Sequence, residues 1–265
     1  MSRITPWYRF KRRNNRRSRL AMFVWWTLVP WMLIPIWRLI YGFRIHHRDK
    51  CPNQGPVLVV CNHQSMLDPM IAGLALHSRG FRPLARSSLQ QDTPKIIAWL
   101  IRCYDAIFID RDNPGPSSMK KVLAELENGR VSILFPEGAR SPDGTIQEFE
   151  TGVWLLIRRG GAPILPMAVE GVHDVMPMGG KLRWKGAFQA TMGDLIPSET
   201  LIEMGKDKAL EHLRLIVDDL RMELREKIRF DTKGRWPKPG PGDQSLRGGT
   251  HKTSADQPTS VAGGD

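Results

Sequence analysis

From Pro56 onward, short apolar runs alternate with longer stretches in which apolar residues recur every three or four positions. The runs Val57–Cys61, Phe81–Ala85, Ala106–Ile109, Val131–Phe135, Ile164–Val169 and Phe188–Met192 read as strands. Helices are expected near Pro69–His77, Pro94–Arg102, Pro116–Glu127 and Gly152–Arg158. Strand and helix in alternation predict an α/β domain with a mostly parallel sheet. The clearest helical pattern comes last: Leu210, Leu213, Val217, Leu220, Leu224 and Ile228 make one apolar stripe. That stripe is expected to pack on the sheet while the charged remainder of the helix faces solvent.

The two ends of the chain follow other patterns. Leu20–Trp37 is an uncharged run of eighteen residues containing Trp25, Trp26, Trp31 and Trp37. Indole rings favour the headgroup boundary and flanking Lys/Arg favours anionic lipid, so the run reads as an N-terminal membrane-associated helical segment. As a helix it reaches only about 27 Å, against roughly 30 Å of hydrocarbon. Pro30 and Pro35 interrupt its second half. Basic residues flank both sides, so a placement on the cytoplasmic face without crossing is expected, with a spanning helix as the alternative. The long basic lead and the four tryptophans fit a cleaved signal peptide poorly. After Phe230 large apolar residues almost vanish, and residues 232–265 are expected to form a disordered tail. The organisation is therefore 1–50 as a basic anchoring segment, 51–231 as one catalytic domain and 232–265 as tail.

Charge sharpens this division. Of the 39 Lys and Arg residues, twelve lie in residues 1–50 beside a single acid, Asp49, so most of the formal +12 sits at one end. A confined basic patch marks an anionic partner, and the adjacent apolar run selects a membrane surface over nucleic acid. Cys51, Cys61 and Cys103 have no C-x-x-C spacing and read as reduced thiols, with no disulfide framework and no metal site. Glycine-rich nucleotide loops and the G-x-S-x-G elbow are absent, and no internal repeat is visible.

Candidate chemistry centres on Val59-Val60-Cys61-Asn62-His63-Gln64-Ser65-Met66-Leu67-Asp68-Pro69, which reads as strand, polar turn and helix start. It places His63 at a strand's C-terminal edge, where open α/β sheets keep their ligand crevices. Five residues overshoot one helical turn by about 140°, so His63 and Asp68 can meet only across a turn. There the carboxylate would fix one imidazole nitrogen and leave the other to take a proton from a hydroxyl. The alternative reading is an ordinary helix start, with Asp68 as the N-cap before a first-turn proline and His63 a plain turn residue. Cys61 at the end of an apolar strand reads as core rather than nucleophile.

The N-H-x-x-x-x-D run resembles the first block of the lysophosphatidic acid acyltransferase family of glycerolipid acyltransferases. Ile107-Phe108-Ile109-Asp110-Arg111 is similar to the second block, Phe135-Pro136-Glu137-Gly138-Ala139-Arg140-Ser141 to the third and Ala162-Pro163-Ile164-Leu165-Pro166 to the fourth, in that order. The resemblance covers roughly residues 40–200 and implies a glycerolipid acyltransferase-like single domain. It implies His63 as general base, Asp68 as its orienting partner and Arg111 as the acceptor's phosphate ligand. Asn62, Arg86, Glu137, Gly138 and Arg140 would help bind substrate, and no cofactor would be needed beyond acyl-CoA or acyl carrier protein as donor. The implied reaction acylates the free hydroxyl of lysophosphatidate to give phosphatidate in phospholipid biosynthesis. A related acceptor, glycerol 3-phosphate or a lyso-aminolipid, is the alternative within the family, and a non-catalytic membrane scaffold the alternative outside it. The chain departs from the family pattern at Asp105, where glycine is usual, at Ala139, where threonine is usual, and at Arg86, which stands alone where the family often carries lysine.

Overall fold

The computed structural model describes residues 28–79, 81–86, 107–109 and 116–250. Its centre is β2 (Val57–Cys61), every residue of which is buried. Alternation along this strand sends Val57, Val59 and Cys61 to one face of the sheet and Leu58 and Val60 to the other, each into its own apolar layer. A strand buried on both faces suits a parallel sheet covered by helices on each side.

The remaining strands are β1 (Arg44–His46), β3 (Phe81–Arg86), β4 (Ile107–Ile109), β5 (Val131–Leu134), β6 (Ile164–Glu170) and β7 (Gln189–Met192). They stand in the order β1-β7-β6-β2-β5-β3-β4. From β6 to β4 all pairings are parallel, whereas β7 runs antiparallel to β6 and carries β1 with it. The five parallel strands therefore end along one edge, where β2 runs into the His63 turn.

One face is covered by α1 (Val29–Tyr41) and α2 (Asp68–Ala75). The other is covered by α3 (Pro116–Glu127), α4 (Gly152–Gly160), α6 (Ser198–Met204) and α7 (Lys206–Asp231), while the single turn α5 (Val172–Val175) follows β6. Only part of the anchoring segment falls within this description, since residues 20–27 lie outside the described residues and residues 28–37 lead into α1. Pro30 occupies the first turn, where its missing N–H is harmless, and the helix continues through Pro35 to Tyr41, where an interruption is expected from sequence. It ends at Gly42 in the left-handed region (φ 63°), whose N–H donates to the Arg38 carbonyl while Phe43 N–H donates to that of Trp37. Trp37 packs edge-on against Phe43 and Phe188, tying the helix to the core. Among the described residues no helix is long and apolar enough to cross a membrane.

The expectation of a disordered tail is corrected for residues 232–250, which fold back over α7, and residues 251–265 lie outside the described residues. A short hairpin of β8 (Gln244–Ser245) and β9 (Gly249–Thr250) closes this segment. What holds it is mainly guanidinium chemistry, with Leu246 packed against the core. Arg221 donates to the carbonyls of Gly242 and Gln244 at 2.7 and 2.8 Å, and Arg225 to that of Lys238 at 2.7 Å. Arg225 and Arg229 both engage Asp243, at 2.7 and 2.6 Å. The charged remainder of α7 is thus not wholly solvated as expected, because Asp218, Arg221 and Arg225 are buried beneath the returning chain.

Candidate active site

The turn after β2 is built around one carboxylate oxygen. Asp68 Oδ2 accepts the Nδ1–H of His63 at 2.9 Å and the backbone N–H groups of Gln64 and Ser65 at 2.6 and 2.7 Å. The Asp68 carboxylate turns back into the loop and caps nothing in its own helix, which begins with no side-chain cap. Of the two readings the sequence leaves open, the structure therefore takes the His/Asp pair. Asp68 is fully buried while the His63 side chain keeps 11% exposure. The ring lies over Phe135 with centroids 4.4 Å apart and 27° between planes. With one nitrogen fixed by a carboxylate and one face against an aromatic ring, the imidazole has a single tautomer and a single orientation.

The histidine backbone is gripped from both sides. Its N–H donates to Glu137 Oε1 at 2.6 Å, and its carbonyl accepts the Ser141 N–H at 2.7 Å. The other Glu137 oxygen accepts the Gln147 N–H at 2.9 Å. Burial pushes the Glu137 carboxyl up to about 8, opposed by these two donors. Gly138 turns the loop in the left-handed region (φ 70°), and a Cβ there would come within 3.0 Å of Glu150 Cγ.

Beside the pair, Gln64 Nε2 donates to Gly144 O at 3.0 Å and to Glu170 Oε2 at 2.8 Å. Glu170 closes β6 and is itself held by Arg225 at 2.5 Å and Arg221 at 3.7 Å. A continuous polar path thus joins the catalytic turn to α7 and the returning segment. Cys61 is fully buried, and burial, aided by the nearby Asp68 and Glu137 carboxylates, holds its thiol well above the usual range. It is a core residue and no nucleophile.

Comparison with known proteins finds relatives over this region. An acyltransferase family model matches residues 42–170. The 1-acyl-sn-glycerol-3-phosphate acyltransferase of Bacillus subtilis is 24% identical over 188 residues, covering 71% of this chain and 90% of its own. The human enzyme of that name, alpha form, is 30% identical over 175 residues, covering 64% of this chain and 60% of its own. The Streptococcus pneumoniae enzyme is 27% identical over 161 residues, 60% of this chain and 59% of its own. The chain therefore spans about three-fifths of the human and pneumococcal relatives. Over residues 42–170 the chain is similar to the acyltransferase family, and its named relatives are 1-acyl-sn-glycerol-3-phosphate acyltransferases. The crystal structure of the 1-acyl-sn-glycerophosphate acyltransferase PlsC from Thermotoga maritima shares its fold, with a TM-score of 0.58 at 22% identity over 79% of this chain and 84% of that one.

The structure places several of the expected site residues differently from the sequence reading. Asn62 is expected to touch substrate, but its side-chain amide is buried and spent on Val169, donating to the carbonyl at 2.9 Å and accepting the N–H at 2.8 Å. It stitches β2 to β6 past the end of their ladder. Glu137 is likewise expected on the acceptor, yet both its oxygens hold backbone. Gly138 serves the turn. Arg140, half-buried in the loop beside Ser141, has no acidic partner among the described residues. Arg86 closes β3 at the edge where β2 runs into the His63 turn, and Arg111 lies outside the described residues.

Sequence reasoning missed Gln64, Ser141, Gln147 and Glu170. Glu170 carried a signal: a carboxylate directly after the apolar run Ile164–Val169 must be either exposed or paired. Among the described residues no cluster of three His, Cys, Asp or Glu side chains is placed to hold a metal ion.

Proposed function

We propose that this acyltransferase moves a fatty acyl group from acyl-CoA or acyl carrier protein to the free hydroxyl of lysophosphatidate, giving phosphatidate for phospholipid biosynthesis. The observation that carries the reading is the His63 Nδ1–Asp68 Oδ2 bond of 2.9 Å at the open end of the parallel strands. In the neutral imidazole this bond makes Nε2, the nitrogen away from the carboxylate, the proton acceptor, as a general base requires. Nε2 takes the hydroxyl proton as the acceptor oxygen attacks the thioester carbonyl, forming the new C–O bond. Collapse of the tetrahedral intermediate breaks the C–S bond, and the imidazolium returns its proton to the departing thiolate. The thioester is already activated, so no covalent enzyme intermediate enters.

The acceptor's phosphate is assigned to Arg140 and Arg111, with Arg86 at the same edge. A planar guanidinium offers two parallel donors to a phosphate. The enzyme is placed on the cytoplasmic face of the membrane, held by the segment ending in α1 without crossing. The exposed apolar side chains of α1, Trp31 at 75% and Leu39 at 88%, support that placement.

The test is turnover with acyl-CoA and with acyl carrier protein against lysophosphatidate, glycerol 3-phosphate and a lyso-aminolipid. Lysophosphatidate is expected to give the highest kcat/KM. His63→Ala should lower kcat about a hundredfold to ten-thousandfold with an unchanged melting curve, because general-base catalysis contributes on that order. A folded His63→Ala protein with near-normal turnover refutes the mechanism, and preference for another acceptor corrects the substrate.

A further inference from the structure

Between α5 and β7 the chain runs through Met178-Gly179-Gly180-Lys181-Leu182-Arg183-Trp184-Lys185, eight consecutive exposed residues. Met178, Leu182 and Trp184 are 47%, 44% and 73% exposed, and they share the stretch with three cations and no acid. Exposed apolar side chains grouped in this way are costly in water unless they meet a partner. The loop also frames a groove of about 550 Å³ lined by Arg183, Trp184, Lys185, Trp236 and Lys238. The adjacent acid, Asp174, is engaged, its carboxylate accepting the Lys238 backbone N–H at 2.8 Å.

The position of the loop is fixed by three contacts. At its start the Met176 carbonyl accepts the Ser65 hydroxyl at 2.7 Å, two residues from the catalytic histidine. Further along, Arg183 N–H donates to the Val175 carbonyl at 2.8 Å, and the Arg183 carbonyl accepts the Tyr41 hydroxyl at 3.1 Å. Tyr41 closes α1, the helix that exposes Trp31, Met32, Ile36 and Leu39. The loop therefore bridges the catalytic turn and the end of the apolar helix.

We infer that residues 178–185 are a second membrane contact, seating Met178, Leu182 and Trp184 at the headgroup boundary of an anionic leaflet while Lys181, Arg183 and Lys185 meet its phosphates. The inference rests on the proposed action on a membrane-borne acceptor. Alternation of cationic and apolar residues matches an interface that is charged outside and apolar within. A nucleic acid or an acidic protein would use the cations and leave the three apolar side chains in water. Two contacts on either side of one edge also fix the tilt of the domain, so the crevice over His63 opens toward the leaflet.

The experiment is co-sedimentation of the full chain with vesicles of phosphatidylcholine alone and of phosphatidylcholine with phosphatidylglycerol. Lys181→Gln/Lys185→Gln and Trp184→Ala change exposed side chains, so their melting curves should match the parent's. One basic residue at an anionic leaflet is worth about fivefold in partitioning, so the double variant should bind anionic vesicles about twenty-fivefold more weakly. Trp184→Ala should weaken binding to both vesicle types. Turnover of acceptor held in vesicles should fall in parallel, while turnover of a monodisperse short-chain acceptor stays at the parental value. Binding changed less than twofold in both variants overturns the inference. So does a defect confined to the KM for acyl carrier protein, or binding to an oligonucleotide that the variants abolish while vesicle binding persists. Vesicle binding needs no turnover, so a chain inactive on every acceptor would overturn the proposed function and still leave this inference open to its own test.

Discussion

Glu170→Gln removes one negative charge from a buried cluster in which Glu170, Asp218 and Asp243 face Arg221, Arg225 and Arg229. Arg221 is fully buried and the Arg225 side chain is 7% exposed, so the cation left behind cannot be rehydrated without moving the chain above it. Breaking a buried ion pair from one side costs about 3–5 kcal/mol, a large share of the roughly 5–15 kcal/mol that holds a domain folded. At about 2–4 °C per kcal/mol for a chain of this size, Tm should drop by about 6–20 °C. Urea denaturation should show the same loss with an unchanged slope. Arg225→Met in the Glu170→Gln background removes the cluster's surplus positive charge, so the two losses should not add and the double-mutant cycle should show a coupling of about 1 kcal/mol or more. Since Gln64 Nε2 donates to Glu170 Oε2 at 2.8 Å, kcat should also fall at temperatures where the variant is fully folded. A destabilisation below about 1 kcal/mol would show that water reaches the cluster and would refute the reasoning.

Other substitutions test the site from different directions. Burial pushes the Glu137 carboxyl from its ordinary 4.5 up to about 8 in the folded state, so the folded state retains a proton that the unfolded chain releases as pH rises. Stability relative to Glu137→Gln should therefore decline between those two values, read as the difference in Tm across a pH series, and a flat difference would place the carboxylate in a solvated setting. Asn62→Ala leaves the Val169 N–H and carbonyl buried without partners, and a loss of about 2–4 kcal/mol is expected by urea denaturation. Arg140→Ala and Arg111→Lys should each raise the acceptor KM more than the donor KM in steady-state kinetics, and a change confined to the donor would move these residues to the thioester side.

The parts of the fold that can be read from sequence are those whose periodicity serves burial on both faces of the sheet. Val57–Cys61 and Pro116–Glu127 form over the ranges their patterns predict. By contrast, β1 is three residues, Arg44–His46, inside a basic stretch with no alternation to reveal it. The antiparallel turn of β7 is equally silent, because strand direction depends on the length and path of a connection and leaves no mark on the strand itself. Residues 232–250 are misread for a related reason, since their order comes from carbonyls accepting from Arg221, Arg225 and Arg229, and backbone acceptors have no signature in side-chain composition. The spacing of those arginines, one helical turn apart, was the available sign that their stripe had a partner. At the site, the five-residue interval from His63 to Asp68 already required a turn. The roles of Asn62 and Glu137 were not legible, because a residue that holds backbone and one that holds substrate have the same side chain.

The dependence of α7 on a later segment also sets the order in which the protein can mature. Synthesis runs from the amino end, so Arg221, Arg225 and Arg229 are made before Asp243 and before the carbonyls that receive them. Until residue 244 has emerged from the ribosome, the nascent sheet can bury the apolar side of α7 but must leave its opposite side wet, and Glu170 has only a solvated guanidinium to lean on. The turn at His63–Asp68 thus leans, through Gln64 and Glu170, on residues translated long after it, and a chain cut at Asp231 lacks the carbonyls that receive Arg221 and Arg225.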